Sequence, residues 1–414
     1  MATLLAPSPT SAAPPPPDVA APVQRGPLVA FGLIGAALSV YVGFTHGAQQ
    51  AVLLALGVGL GVALFHSRFG FTSAWRQLVA VGNGSGLRAH AVLLGTTATL
   101  FAVIIGTGTG LFGTTPTPSA GPLGVGLVLG AFLFGFGMQL GGACASGTLF
   151  AVGSGQSTIM LTLGGFIVGA VLYTWAFPLV DDLPALPAVV LADSIGWFGS
   201  WVVTIAALAA VVVVSRAVQV HRTPPPTAAP PTAHGWARVV RGSWPLIVGA
   251  LVLAALGGAV LLVSGGAWGI TSAFALWGAK LLQAVGLAPE TWLYWQQPAQ
   301  ARMLAGPVLT DKTSLTDIGI MIGAGLAATT GGAWVLRRTI PWRTALAAVL
   351  GGVIMGVGSR LAAGCNIGAY LAGISSGSLS GWLWGLAALA GTWAGLRARR
   401  LFALPNPRPS DAVC

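Results

Sequence analysis

Charge is scarce in this sequence. Asp, Glu, Lys and Arg together make up 7% of the 414 residues, whereas 55% are hydrophobic and the mean hydropathy is +0.84. So little polar surface cannot cover a water-soluble protein of this length, which excludes the soluble globular class. Cysteine is scarcer still: three residues, with no CxxC pair and no regular spacing, exclude a disulfide framework and a structural zinc site. No GxxxxGK[ST] stretch occurs, so the chain carries no phosphate-binding loop of the ATPase type. Acidic residues number eight against nineteen Lys and Arg, a net charge of +11. The basic residues stand in short loops beside apolar runs, where they set membrane topology, and no nucleic-acid role is read from them.

Long apolar runs are what the chain has instead. A span needs about 20 apolar residues at ~1.5 Å rise each to cross a hydrocarbon core of ~30 Å. Ten runs qualify as candidates: 28–44, 51–65, 90–111, 122–140, 157–177, 188–214, 244–263, 318–336, 344–361 and 379–396. Residues 1–25 are rich in Ala, Pro and Ser without a basic start, and read as a disordered tail rather than a signal peptide. A Pro-rich basic segment at 215–243 reads as a cytoplasmic linker. It divides a first transmembrane half, 26–214, from a second, 244–397, and 398–414 form a cytoplasmic tail.

Two glycine-rich stretches each hold one cysteine, GFGMQLGGACASGTLF (135–150) and GVGSRLAAGCNIGAYL (356–371). Arg68, Arg76 and Arg88, the linker arginines, Arg337, Arg338 and Arg343, and Arg397, Arg399 and Arg400 all follow spans that place them on the cytoplasmic side, with both termini inside. Five crossings separate the two cysteine turns, so one opens from the cytoplasm and the other from outside. A second matched pair, GFTSAWRQL (70–78) and GITSAFALW (269–277), follows a span in each half and is too short or polar to cross. The expected fold is therefore an all-α polytopic membrane protein of two inverted-topology repeats, the first over about 51–177, with short re-entrant or broken helices meeting at the membrane midplane.

Irregular backbone at membrane depth survives only inside protein or along an aqueous cavity. The glycines Gly142, Gly147, Gly364 and Gly368 allow tight turns and close approach of a ligand, and helix starts after such turns present N–H groups to an anion. Packing alone would explain the glycines of one stretch. The repeated cysteine argues further, because alanine or serine would fill the same space, whereas a thiol adds a weak donor and a soft acceptor. Cys144 and Cys365 are thus candidate path residues for a soft, sulfur-bearing anion. Arg360, five residues before Cys365, is a candidate anion attractor, and the first half has Gln139 at that position. Lys280 stays open between that role and an interfacial one. Trp292, Tyr294 and Trp295 are expected in interface belts, and His46, His66 and His90 at span ends. Cys414 receives no function.

These two stretches, together with RFGFTSAWRQ (68–77), resemble the YeeE/YedE family of sulfur-compound transporters, whose best-understood members import thiosulfate. The resemblance runs over about Ala51 to Leu396. It implies a multi-pass protein of the bacterial plasma (inner) membrane, thiosulfate or a related anion as substrate, and Cys144 and Cys365 handing the anion on by S–H···S contacts. It further implies a small cytosolic sulfur-carrier protein as a candidate partner, and neither cofactor nor metal. One departure stands out: Phe69 and Gly70 occupy positions where thiosulfate importers of the family have a further cysteine. The expected function is accordingly a transporter rather than an enzyme. Two alternatives remain beside it, another sulfur or selenium oxyanion as substrate, and a membrane thiol oxidoreductase or sulfurtransferase using the same cysteines.

Overall fold

The computed structural model describes residues 21–222, 224, 235–336 and 339–406. Among them the chain is almost wholly helical, and its only ladder is two residues a side, Leu123–Gly124 against Ala185–Leu186. The first half contains α1 (Arg25–His46), α2 (Ala48–Ser67), α3 (Phe71–Val81), α4 (Ser85–Thr107), α5 (Val125–Gly141), α6 (Ala145–Gly153), α7 (Ser157–Ala176) and α8 (Leu191–Arg222). The short α9 (Ala237–Arg241) leads into the second, with α10 (Leu246–Ser264), α11 (Thr271–Ala284), α12 (Leu293–Gln296), α13 (Pro298–Ala305), α14 (Lys312–Thr330), α15 (Trp342–Leu361), α16 (Ala372–Ser375) and α17 (Leu379–Ala398).

Each of the ten expected runs is a long helix here. Among the described residues eight stretches are long and apolar enough to cross a membrane. The other two runs are α14 and α17. Fourteen of the nineteen residues of α14 are buried, so it contacts protein rather than lipid and tolerates Lys312, Thr316 and Asp317 in its sequence. Between the long helices, both TSA stretches form short helices, α3 and α11, and both cysteine stretches break a helix and start a new one.

Some boundaries differ from the sequence reading. Helix α8 continues to Arg222, because Ser215–Arg222 has no helix breaker before the proline run, so the linker expected from 215 begins as helix. The expected tail of residues 1–25 and the far end of the chain, with Cys414, fall mostly outside the described residues. Tyr294 and Trp295 are buried rather than set in an interface belt, since the segment between α11 and α14 folds back over the bundle. His66 and His90 are also buried, His90 stacked on Phe71 with ring centres 4.3 Å apart.

Glycine determines how closely the helices approach. Gly130 and Gly137 stand to Cys144 as Gly351 and Gly358 stand to Cys365, and α5 crosses α15 on these four residues. A Cβ on Gly358 would lie 2.6 Å from the Gly130 carbonyl oxygen, and one on Gly137 would lie 2.8 Å from that of Gly351. The remaining partnerships follow the same exchange of halves: α7 packs on α15 as α17 packs on α5, and α2 on α14 as α4 on α10. In lipid, where burial of apolar surface between helices gains nothing, such backbone-close packing holds a bundle together.

Gly358→Val should therefore lower the stability of the detergent-solubilised protein by about 1–3 kcal/mol, the usual cost of overpacking. Gly164→Ala, with nothing within 4 Å of the added carbon, should leave the thermal midpoint in place.

Candidate functional site

The two cysteine turns are built alike. Helix α5 ends at Gly141, and Gly142 takes the left-handed conformation (φ 85°) that terminates it. Cys144 then adopts an extended conformation and is the residue from which α6 starts. In the second half Ala363 (φ 55°) and Gly364 (φ 152°) make the turn, and Cys365 is the extended residue before the π-helical start at Asn366–Leu371, which α16 continues. Gly364 is required there on a second count, because a Cβ would come 2.8 Å from the Ala369 nitrogen. Both cysteines are free and buried.

Breaking a helix inside a membrane frees carbonyl groups that need partners. The Thr162 hydroxyl donates to the Gly141 carbonyl at 2.9 Å, and the Trp384 indole N–H donates to the Gly364 carbonyl at 3.2 Å. At the first turn Arg399 donates to the Gln139 carbonyl at 2.6 Å, while Arg76 donates from Nε to the Gln139 side-chain oxygen at 2.9 Å. Beyond each turn the new helix closes onto its cysteine: Thr148 N–H and hydroxyl both donate to the Cys144 carbonyl (2.7 and 2.8 Å), and Ala369 N–H donates to that of Cys365 (2.9 Å). The Cys144 sulfur lies 3.5 Å from the Ser146 hydroxyl. An ideal Cβ on Gly147 would be 3.4 Å from that sulfur, so glycine keeps the face beside it clear.

Each turn sits beneath a cavity. The larger, of about 700 Å³, is lined by Arg68, Thr72, Ser73 and Arg76 from the first TSA region and by Gly142, Cys144 and Gly147 from the first turn. The smaller, of about 290 Å³, is lined by Thr271 and Ser272 of the second TSA segment, by Lys312 and Arg360, and by Gly364 and Gly368 of the second turn. Each cavity therefore combines two cationic side chains, a TSA helix start and a cysteine turn. The turn and the TSA segment of the second half meet at glycine, a Cβ on Gly368 lying 3.9 Å from the Gly269 Cα. Cys365 does not line its cavity; it lies buried next to Gly364, which does.

The expected site residues separate on this geometry. Cys144, Gly142 and Gly147 share the larger cavity, and Arg360, Gly364 and Gly368 share the smaller. Gln139 lines neither; it is fully buried and acts as the acceptor that holds Arg76 and Arg399. Arg360 is hydrogen-bonded to the Tyr294 hydroxyl and lies over the Tyr294 ring at 5.5 Å. Lys280 lines neither cavity; it lies near Glu290. Sequence reasoning assigned Arg68 and Arg76 to topology alone and passed over Lys312. For Arg76 the available signal was its place inside the first TSA helix, where a purely topological charge would stand outside. Phe69, where the resemblance implied a further cysteine, packs on His90 at 5.2 Å and on Phe71 at 5.9 Å. Among the described residues no group of three or more His, Cys, Asp or Glu comes together as a metal site.

A multi-pass helical membrane protein with basic cavities over two broken helices belongs to the transporter class of architectures. The chain is a member of the family described as sulphur transport, whose model matches residues 66–394. It is 26% identical over 357 residues to the thiosulfate transporter TsuA of Spirochaeta thermophila, covering 82% of this chain and 96% of that protein. It is also 34% identical over 135 residues to the probable transporter YedE of Escherichia coli K12, and 35% identical over 135 residues to that of Salmonella typhimurium LT2. Those two matches span about a third of each chain.

The difference in placement of the two thiols is measurable. In a Cys414→Ser background, a small membrane-impermeant methanethiosulfonate should modify Cys144 from the face bearing Arg68 and Arg76. Modification of Cys365 from the opposite face should be slower. Mass spectrometry of vesicles labelled from either side reads both.

Proposed function

We propose that the protein carries a small sulfur-containing anion, thiosulfate first among the candidates, across the bacterial plasma membrane along a path through Cys144 and Cys365. The observation that carries this reading is the convergence of two cation-bearing cavities on the two cysteine turns. Arg68 and Arg76 on one side, and Lys312 and Arg360 on the other, raise the local anion concentration and offset part of its dehydration. At each turn, backbone N–H groups at a helix start present positive partial charge toward the bound anion. The thiols add weak S–H donors matched to a soft terminal sulfur, for which a hydroxyl would be a poorer partner. The name of the TsuA relative supports thiosulfate over other sulfur or selenium oxyanions.

In this reading the two halves are inverted repeats and both termini are cytoplasmic, so the larger cavity faces the cytoplasm. The exchangeable helix partnerships support the repeat, and the distribution of arginines supports the orientation. A small cytosolic sulfur-carrier protein would collect the anion at the larger cavity. Transport without chemistry fits two thiols that each start a helix of their own.

The test is uptake of radiolabelled thiosulfate into cells lacking their own importer. Cys144→Ala and Cys365→Ala should each lower uptake by about 10- to 100-fold at normal membrane expression, the equivalent of one hydrogen bond to a charged group of about 1.5–3 kcal/mol. Full activity in either variant refutes a path through both thiols.

A further inference from the structure

Asp317 has no role in the path described so far, yet it is the most anomalous side chain in the bundle. It is fully buried, and neither carboxylate oxygen has a hydrogen-bond partner among the described residues. An ionised carboxylate in such surroundings is strongly disfavoured, and an intramembrane acid without a partner marks a functional position.

Its place on α14 is informative. Thr313, Asp317 and Met321 are spaced four residues apart and so share one face of the helix. Thr313 lines the smaller cavity, while the Met321 carbonyl packs against Gly153 of α6, the helix that starts at Cys144. Asp317 thus lies one turn below one cavity and one turn short of the helix that leads from the other. The first half repeats the arrangement: His90 is the sixth residue of α4 as Asp317 is the sixth of α14, and it too is buried, with Nδ1 lacking a partner. The correspondence extends along both helices, since Leu94 of α4 accepts a hydrogen bond from Ser375 of α16 where Met321 of α14 meets α6.

Among the described residues no cation pairs with Asp317. The elements packed on α14 are α1, α2, α6, α9, α11 and the turn at Val308–Thr310. Their titratable groups are Arg25, Tyr41 and His46 on α1, His66 on α2, Arg238 and Arg241 on α9, and Lys280 on α11, while α14 itself carries Lys312, whose ammonium donates to the Ala267 carbonyl. None of these is paired with Asp317, and the nearest acid on the same element, Asp311, is taken up in capping α14 through the Ser314 N–H.

We infer that Asp317 is a proton-binding site that couples anion passage to proton movement. This rests on the proposed path for a sulfur-containing anion. An anion in the narrow region between the cavities approaches Asp317 favourably only when the carboxyl is neutral. By linkage, anion binding then tightens proton binding by the same factor that protonation tightens anion binding. The proton taken up at the carboxylate on the outer side is released, as the anion leaves, on the inner side. Proton and anion move in the same direction, and no bond other than O–H is made or broken.

The experiment uses the full chain in proteoliposomes with the membrane potential clamped at zero. Radiolabelled thiosulfate is followed both in exchange at equal pH and in accumulation driven by one unit of pH difference, acid outside. With one proton per anion the wild type should accumulate about tenfold over equilibrium. Asp317→Asn should bring that ratio to about one, judged against its own exchange rate. Exchange without a response to the gradient in the wild type, or wild-type accumulation by Asp317→Asn, overturns the inference. Should Asp317→Asn abolish exchange as well, Asp317→Glu decides: accumulation with a displaced pH midpoint supports the assignment, and a wild-type pH profile overturns it. A wild type that exchanges no thiosulfate refutes the substrate instead. Infrared difference spectra then test the proton site alone: a carboxylic-acid C=O band present in the wild type and missing from Asp317→Asn supports it, and its absence from the wild type overturns it.

Discussion

Everything else in this structure depends on the rule that polypeptide backbone within a bilayer must find its hydrogen bonds inside the protein. Two long helices, α5 and α15, stop short at Gly141 and Leu361, and each gives way to a short helix starting beside a cysteine. Their freed carbonyls are met by Thr162, Arg399 and Trp384, all from other helices. Those donors arrive only because glycine brings the helices to near backbone contact, with Gly130 and Gly137 of one half facing Gly358 and Gly351 of the other. The composition follows from this: 61 glycines serve a bundle whose helices must touch closely around two deliberate breaks.

Arg68, Arg76, Lys312 and Arg360 stand where the breaks are. Four cations flank two cavities of unequal size, and the side chains between them are buried. The asymmetry has a visible cause in the second half, where the segment between α11 and α14 brings Tyr294 onto Arg360 and narrows the approach. The first half has no such insertion, since only Gly82–Gly84 separate α3 from α4, and Cys144 is accordingly part of its cavity wall. The two halves share one plan and differ in how far each thiol is covered.

Much of this plan was legible in the sequence because its signals are local. Apolar runs mark the ten long helices, and the repeated glycine–cysteine stretches mark the two turns. The distances between those stretches could not be read, because they depend on which helix faces which. His90 was expected at an interface from its position near a span end, and only packing on Phe69 and Phe71 reveals it as buried. Asp317 stands just ahead of the apolar run 318–336 and drew no reading from the sequence; its burial comes from α1, α2, α6 and α11 packing around α14. Arg76 was hidden by a rule that is correct on average, since most arginines next to spans do set topology.

The most direct test of the account is to locate the anion itself. Selenosulfate, isosteric with thiosulfate and carrying an anomalous scatterer, can be diffused into crystals of the protein reconstituted in lipid. The account predicts a selenium peak between the Cys144 and Cys365 turns, with the oxyanion end toward the cationic cavity from which it entered. A peak confined to the outer surface, with both turns closed over their thiols at saturating anion, would contradict it.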